Sequence, residues 1–177
     1  MTLEELAARI RATAYLEGDF TLRSGKKSSF YIDKYRFETQ PDILAELGKR
    51  LAERATPRTT LIAGAELGGV ALAAAAAMSA GLPFVIIRNA KKGYGTEKMH
   101  EGMLSSGDHV LLVEDIATTG GQVLEAAKII TDVGARVERI VAVLDREEGA
   151  SENIEKAGFR FERLLRLADL RKNRPTG

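Results

Sequence analysis

No cysteine occurs anywhere in the 177-residue chain, and no tryptophan. Without thiols the protein forms no disulfide and no thiolate metal site, and the composition fits a cytoplasmic protein. No charge of one sign dominates: 26 basic residues face 25 acidic ones, a net charge of +1. That balance argues against a dedicated nucleic-acid binder, while leaving room for a local basic patch. The longest apolar run, Val70 to Met78, is too short to span a bilayer. Its alanines suit a helix packed closely against a sheet. The first residues, Met1-Thr-Leu-Glu-Glu5, carry acids and no apolar signal core, so no secretory leader is expected. No internal repeat and no low-complexity linker breaks the chain. With 45% hydrophobic and 29% charged residues it reads as one globular domain with a sizeable core.

What the chain does have is one dense stretch, His109-Val-Leu-Leu-Val-Glu-Asp-Ile-Ala-Thr-Thr-Gly-Gly121. Val110 to Val113 reads as a buried strand with Glu114 and Asp115 at its carboxyl end. Small residues follow, then an apolar-periodic helix from about Gln122 to Val133. Open α/β sheets bind ligands beyond the carboxyl ends of their strands. A loop of small residues lets backbone amides close around a phosphate, and a helix N-terminus adds partial positive charge. Thr118 and Thr119 add hydroxyl donors. The acids repel phosphate and suit sugar hydroxyls, or Mg²⁺ held through water. An acid pair alone would read as an ordinary strand–turn–helix unit. Acids, hydroxyls and glycines in this order point to a sugar-phosphate site.

The rest of the chain supports that stretch. Residues 3–14 have helical apolar spacing. Gly18 ends the following connection, and Phe20–Arg23 and Ser29–Asp33 read as a hairpin. Its basic tip, Arg23, Lys26 and Lys27, is either a solvated turn or part of an anion site. It is no P-loop: six residues rather than four separate Gly18 from Gly25, and Lys27 stands where Ser or Thr is required. Pro41 opens a helix running to about Ala55. Leu61–Ala65 reads as a strand, followed by Glu66-Leu-Gly-Gly69 and the alanine helix. That glycine loop is not a dinucleotide fingerprint; it holds a second phosphate end or simply packs helix on sheet. Phe84–Ile87 is a strand ending in Arg88. Residues 89–107, basic and glycine-rich with no clean period, suit a flexible lid over an anionic ligand. Val137–Leu144 is a further strand, ending at Asp145 and Arg146. A short helix (Ser151–Ala157), a strand (Phe159–Leu165) and a polar C-terminal helix complete the chain. Alternating strands and helices after residue 41 predict an α/β fold, a central parallel sheet flanked by helices. Residues 1–40 form a small cap, or hood, over it.

Val113-Glu-Asp-Ile-Ala-Thr-Thr-Gly-Gly121 resembles the phosphoribosyl-pyrophosphate (PRPP) motif of type I phosphoribosyltransferases. Three further stretches resemble the orotate phosphoribosyltransferases within that family: Thr21-Leu-Arg-Ser-Gly-Lys-Lys-Ser-Ser-Phe-Tyr31, Arg88 with Lys92-Gly-Tyr-Gly95, and Leu144-Asp-Arg-Glu-Glu-Gly149. The resemblance implies transfer of phosphoribose from PRPP to orotate with Mg²⁺, in a homodimer whose lid reaches the partner's site. It places PRPP against Ile116, Ala117, Thr118, Thr119, Gly120, Gly121 and Gln122, with the 5′-phosphate in the loop from Ala117 to Gly121. Glu114 and Asp115 face the ribose. Leu67 and Gly68 line the pyrophosphate, which Arg88, Lys92 and Tyr94 also meet. Orotate falls to Thr118, Arg146, Arg23 and Tyr31. Catalysis falls to Lys92, Asp115 and Glu114, with no direct protein ligand for the metal.

Three positions depart from the orotate pattern: Asn89 and Gly68 stand where lysines are common, and Tyr94 where histidine is. Lys91, Lys98 or His100 are candidates to compensate. The runner-up function is a purine phosphoribosyltransferase. More remote are a PRPP-sensing regulator and a structural α/β module. The hairpin and Asp145-Arg146 favour orotate.

Overall fold

The computed structural model describes residues 1–21, 25, 27–89 and 98–172. Helix α1 (Leu3–Ala14) starts at a capping box, in which Thr2 Oγ1 accepts from the Glu5 amide and Glu5 returns a bond to the Thr2 amide. Leu6, Ala7, Ile10 and Ala14 bury its apolar side. A hairpin of β1 (Tyr15–Thr21) and β2 (Lys27–Ile32) follows, antiparallel and irregular between Glu17 and Phe20. The first strand thus begins at Tyr15, not Phe20, and Gly18 lies inside it. The chain then makes α2 (Lys34–Glu38) and α3 (Pro41–Ala52), the latter with proline in its first turn.

The core is a six-stranded sheet with spatial order β5–β4–β3–β6–β7–β8. Its strands are β3 (Leu61–Ala65), β4 (Phe84–Ile87), β5 (His100–Glu101), β6 (His109–Ala117), β7 (Arg136–Asp145) and β8 (Phe161–Arg166). Five run parallel, as alternation predicted. The sheet is nonetheless mixed, because β5 pairs antiparallel with β4 inside the stretch read as irregular lid. Residues 90–97 of that stretch lie outside the described residues.

Helices α4 (Gly68–Ala80), α5 (Gly121–Asp132) and α6 (Ala150–Lys156) connect the parallel strands, and α7 (Leu167–Lys172) closes the chain. From β3 the chain winds outward to β4; from β6 it winds the other way to β7 and β8. Right-handed crossovers in opposite directions put their helices on opposite faces. One core joins α4 residues such as Leu72 and Ala76 to α1, α3 and α7. The other joins α5 and α6, through Val123, Ile130 and Ile154, to the other face. The cap is fastened to the first of these, where the Arg11 guanidinium donates to the Leu170 carbonyl at 3.1 Å.

This winding fixes where a ligand sits. The sheet's order reverses between β3 and β6, and their carboxyl ends open a crevice. Both glycine loops stand at that crevice.

Candidate active site

Strand β6 extends through Ala117, so Glu114 and Asp115 lie within the strand, not after it, and both are buried. After Ala117 the chain turns through Thr118 and Thr119 to Gly120, whose φ of 82° is a conformation that glycine adopts without a Cβ penalty. The Asn153 side chain donates to the Thr119 carbonyl at 2.9 Å and holds the turn against α6. Helix α5 starts there with no side-chain cap, so its first amides are free to bind an anion. A cavity of about 560 Å³ opens above, lined by Glu114 to Val123 together with Tyr31, Ile32, Lys34, Arg146 and Glu148.

The second loop, Glu66 to Gly69, leaves β3 through a cis peptide between Glu66 and Leu67. Asn89, at the end of β4, binds this loop twice. Its amide donates to Glu66 Oε1 and its side chain to the Glu66 carbonyl, each at 2.8 Å. Gln122 donates to the same carbonyl at 3.1 Å. Asn89 therefore ties two strand ends and the first turn of α5 into one frame. Gly68 presses on the acid pair, since a Cβ there would stand 1.6 Å from Asp115 Oδ2. No side chain fits at that point, which gives the glycine a steric reason.

The acids differ in state. Asp115 Oδ2 accepts from the Lys34 ammonium at 2.6 Å, and Oδ1 from the Ile116 amide. Burial works against the charge on Lys34, but Asp115 outweighs it and holds the ammonium above its ordinary value. Glu114 has no such cation of its own. Burial, and next the charge of Asp115, raise it well above the ordinary carboxylate value and so favour its neutral form. Its Oε2 is buried with no hydrogen-bond partner, as is Oε1 of Glu38 from α2. Burial and Asp115 push Glu38 up to about 8. The site thus sets the Lys34–Asp115 ion pair beside two buried carboxyls biased toward their neutral forms, able to meet hydroxyl donors and acceptors alike.

Arg146 follows β7, where its amide donates to the Ala117 carbonyl at 2.9 Å. Its Nε lies 2.9 Å from Glu148 Oε1 but makes no aligned hydrogen bond. Tyr31 projects from β2, 43% exposed, beside the same cavity. Asp145 is structural: Arg163 Nη1 and the Glu147 amide hold it at 2.9 and 2.8 Å.

Of the expected site residues, Glu114 to Gln122, Tyr31 and Arg146 meet at the cavity. Leu67, Gly68 and Arg88 stand along the β3–β4 side, beyond that lining, with Arg88 Nη1 3.5 Å from Glu101 Oε1. Arg23, Lys92 and Tyr94 lie outside the described residues. Sequence reasoning missed Lys34, Glu38 and Glu148. A cation two residues past the end of β2, three after Tyr31, was the available signal for Lys34. Glu38 left none, because α2 is too short to show a period.

The model of the phosphoribosyl transferase domain matches residues 37–164. An orotate phosphoribosyltransferase from Methanocella arvoryzae is 41% identical over 172 residues, 97% of this chain and 98% of its own length. One from Pyrococcus horikoshii is 48% identical over 158 residues, 88% of this chain and 85% of its own. The crystal structure of the Mycobacterium tuberculosis orotate phosphoribosyltransferase in complex with PRPP superposes with a TM-score of 0.79 at 32% identity. That match covers 95% of this chain and 98% of the other. The acid-bearing strand, its threonine–glycine turn and the crevice between β3 and β6 are thus those of a known lineage: the chain belongs to the orotate phosphoribosyltransferases, within the phosphoribosyl transferase family.

Proposed function

We propose that the protein transfers the 5-phosphoribosyl group of PRPP to orotate. A ring nitrogen of orotate bonds to the anomeric carbon, the bond from that carbon to pyrophosphate breaks, and pyrophosphate leaves with the electron pair. The observation that carries this reading is the placement of Glu114 and Asp115 beside the Thr118–Gly121 turn, in one cavity with Arg146. The turn and the first amides of α5 seat the 5′-phosphate. Asp115 accepts from the ribose hydroxyls, and Glu114, whose neutral form burial favours, donates to or accepts from the same sugar. Positive charge develops on the ribose in the transition state, and Asp115 favours it electrostatically. Arg146 faces the polar edge of the base, and Tyr31 covers it. Held this way, both reactants lose little further entropy on reaction.

Among the described residues no group of three or more acids and histidines is placed to hold a metal ion. The Glu114 and Asp115 carboxyls at the cavity would hold, through water, a Mg²⁺ brought in by PRPP. Such an ion would supply positive charge against the departing pyrophosphate. The family reading also supports a homodimer with residues 89–107 closing over the partner's site, and the absence of cysteine supports a cytoplasmic location.

The test follows the absorbance of orotate with PRPP and Mg²⁺, beside adenine, hypoxanthine and uracil. Turnover with orotate alone is expected. Turnover with a purine and none with orotate overturns the reading.

A further inference from the structure

The loop after β3 carries no cation of its own: it reads Glu66, Leu67, Gly68, Gly69. A pyrophosphate seated there needs one. Among the described residues two cationic side chains line the cavity, Lys34 and Arg146, and Arg146 lies against Glu148. Lys34 starts α2 in the cap, yet its ammonium reaches across to Asp115. The Asp115 carboxylate in turn rests on the Gly68 backbone. The lysine is thus one hydrogen bond removed from the loop that lacks a charge. A side chain at Gly68 would displace the carboxylate that brings it there.

We propose that Lys34 is a binding residue for the pyrophosphate moiety of PRPP, supplying from the cap the positive charge that the Glu66–Gly69 loop lacks. The inference rests on the phosphoribosyl-transfer reading and names the residue that completes that half of the site. An ammonium has three N–H donors, and Asp115 occupies one. The side chain remains 29% exposed, against 3% for Asp115, and lines the cavity. When the ribose hydroxyls occupy Asp115, the lysine is free to turn toward the phosphate oxygens. The groups around it are Asp115, Glu38 and the Tyr35 ring, 5.3 Å from Nζ. Glu38 Oε1, beside Gly68, is biased toward its neutral form and so offers the ammonium a weaker acceptor than a pyrophosphate oxygen.

The experiment uses the full-length protein and its Lys34→Gln variant. Calorimetric titration with Mg²⁺ and pyrophosphate measures affinity directly, and steady-state assays give KM for PRPP and for orotate. The variant is expected to bind pyrophosphate about tenfold more weakly, roughly 1.4 kcal/mol, and to raise KM for PRPP similarly. KM for orotate is expected to stay within about twofold, since a purely structural loss would move both constants. Unchanged pyrophosphate affinity in a folded variant overturns the proposal. Because removing Lys34 strands a buried carboxylate, a crystal structure of the unsubstituted protein with Mg²⁺ and pyrophosphate provides a second decision. Lys34 Nζ within hydrogen-bond distance of a pyrophosphate oxygen supports the assignment, and Nζ still bonded to Asp115 alone removes it. Pyrophosphate binding that depends on Lys34, in a protein that does not turn over orotate, would sink the orotate reading and leave this one standing.

Discussion

Two strand–loop–helix units stand side by side at the crevice and solve different problems. In the first, β3 enters the Glu66–Gly69 loop and the alanine-rich α4; in the second, β6 enters the Thr118–Gly121 turn and α5. The second unit works by side chains and free amides: two acids, two hydroxyls and a glycine at positive φ, with amphipathic α5 behind them. The first works by closeness. A Cβ on Gly64 would stand 2.1 Å from the Gly69 carbonyl oxygen, and one on Gly68 would meet Asp115. The first unit therefore has no room for functional side chains of its own and serves as the wall against which the second unit's acid is held. Chemistry at this wall has to be brought in from elsewhere, by Asn89, by Gln122 and by Lys34 from the cap.

The largest expected effect separates the two acids of the second unit. Asp115 is paired with the Lys34 ammonium, whereas Glu114 is buried with Oε2 unpartnered and is pushed toward its neutral form, so the same amide substitution acts differently on them. Asp115→Asn removes a charge that the sugar and Lys34 both use, and kcat/KM is expected to fall by about 10² or more. Glu114→Gln replaces a carboxyl biased toward its neutral form by a neutral group of the same size, and a loss of about tenfold or less is expected. Equal losses in both variants would show that the acids carry the same charge during turnover, and the contrast drawn here would be gone.

A smaller effect compares the glycines. At Gly68 an added methyl meets Asp115 Oδ2 at 1.6 Å; at Gly121 it meets nothing closer than Thr119 Oγ1 at 3.9 Å. Gly68→Ala is expected to displace the carboxylate and lower kcat/KM by about 10- to 100-fold, the penalty for misplacing a positioned group by about an ångström. Gly121→Ala, at a helix start with no steric conflict, is expected to stay within about threefold and to melt no lower than the parent. Steady-state kinetics beside thermal melting reads both. Comparable activity in the two variants would mean that the first unit is not a wall at all.

The second unit was legible in the sequence and the first only in outline, for one physical reason. Acids, hydroxyls and glycines of the second unit are contiguous, and contiguous residues on a strand and turn need no tertiary knowledge to be placed together. The strand itself was read short, since Glu114 and Asp115 look polar rather than buried; Asp115 is covered by Gly68 of α4 and by Lys34 of the cap. The pair of Lys34 with Asp115 spans 81 positions, and no spacing rule reaches that far. Glu38 lies on a five-residue helix, too brief for a 3.6-residue period, and β5 has two residues. Parallel alternation after Pro41 was visible because each strand and helix there is long enough to show its own period. Asn89 read as a missing lysine; in the fold it is the bracket that joins the two units.

The subtlest consequence of crowding at the first unit concerns Glu38, whose Oε1 would lie 3.1 Å from a Cβ on Gly68. Burial first, then Asp115, raise its carboxyl from 4.5 to about 8, while Lys34 only partly opposes them. Below the unfolded value both folded and unfolded chains hold the proton, and the group is neutral in its effect. Between about 4.5 and 8 the folded chain keeps a proton that the unfolded chain has released, so stability falls as pH rises, and the full cost is present above 8. Glutamine in its place cannot ionise. Glu38→Gln is therefore expected to melt within about a degree of the parent near pH 5 and several degrees above it near pH 8.5, without substrate or Mg²⁺. Glu114 shifts in the same direction but is common to both proteins, so it cancels from the difference to first order. A melting difference that stays flat across that range would show that Glu38 is ionised throughout, and that the wall beside Gly68 is open enough to water to keep it so.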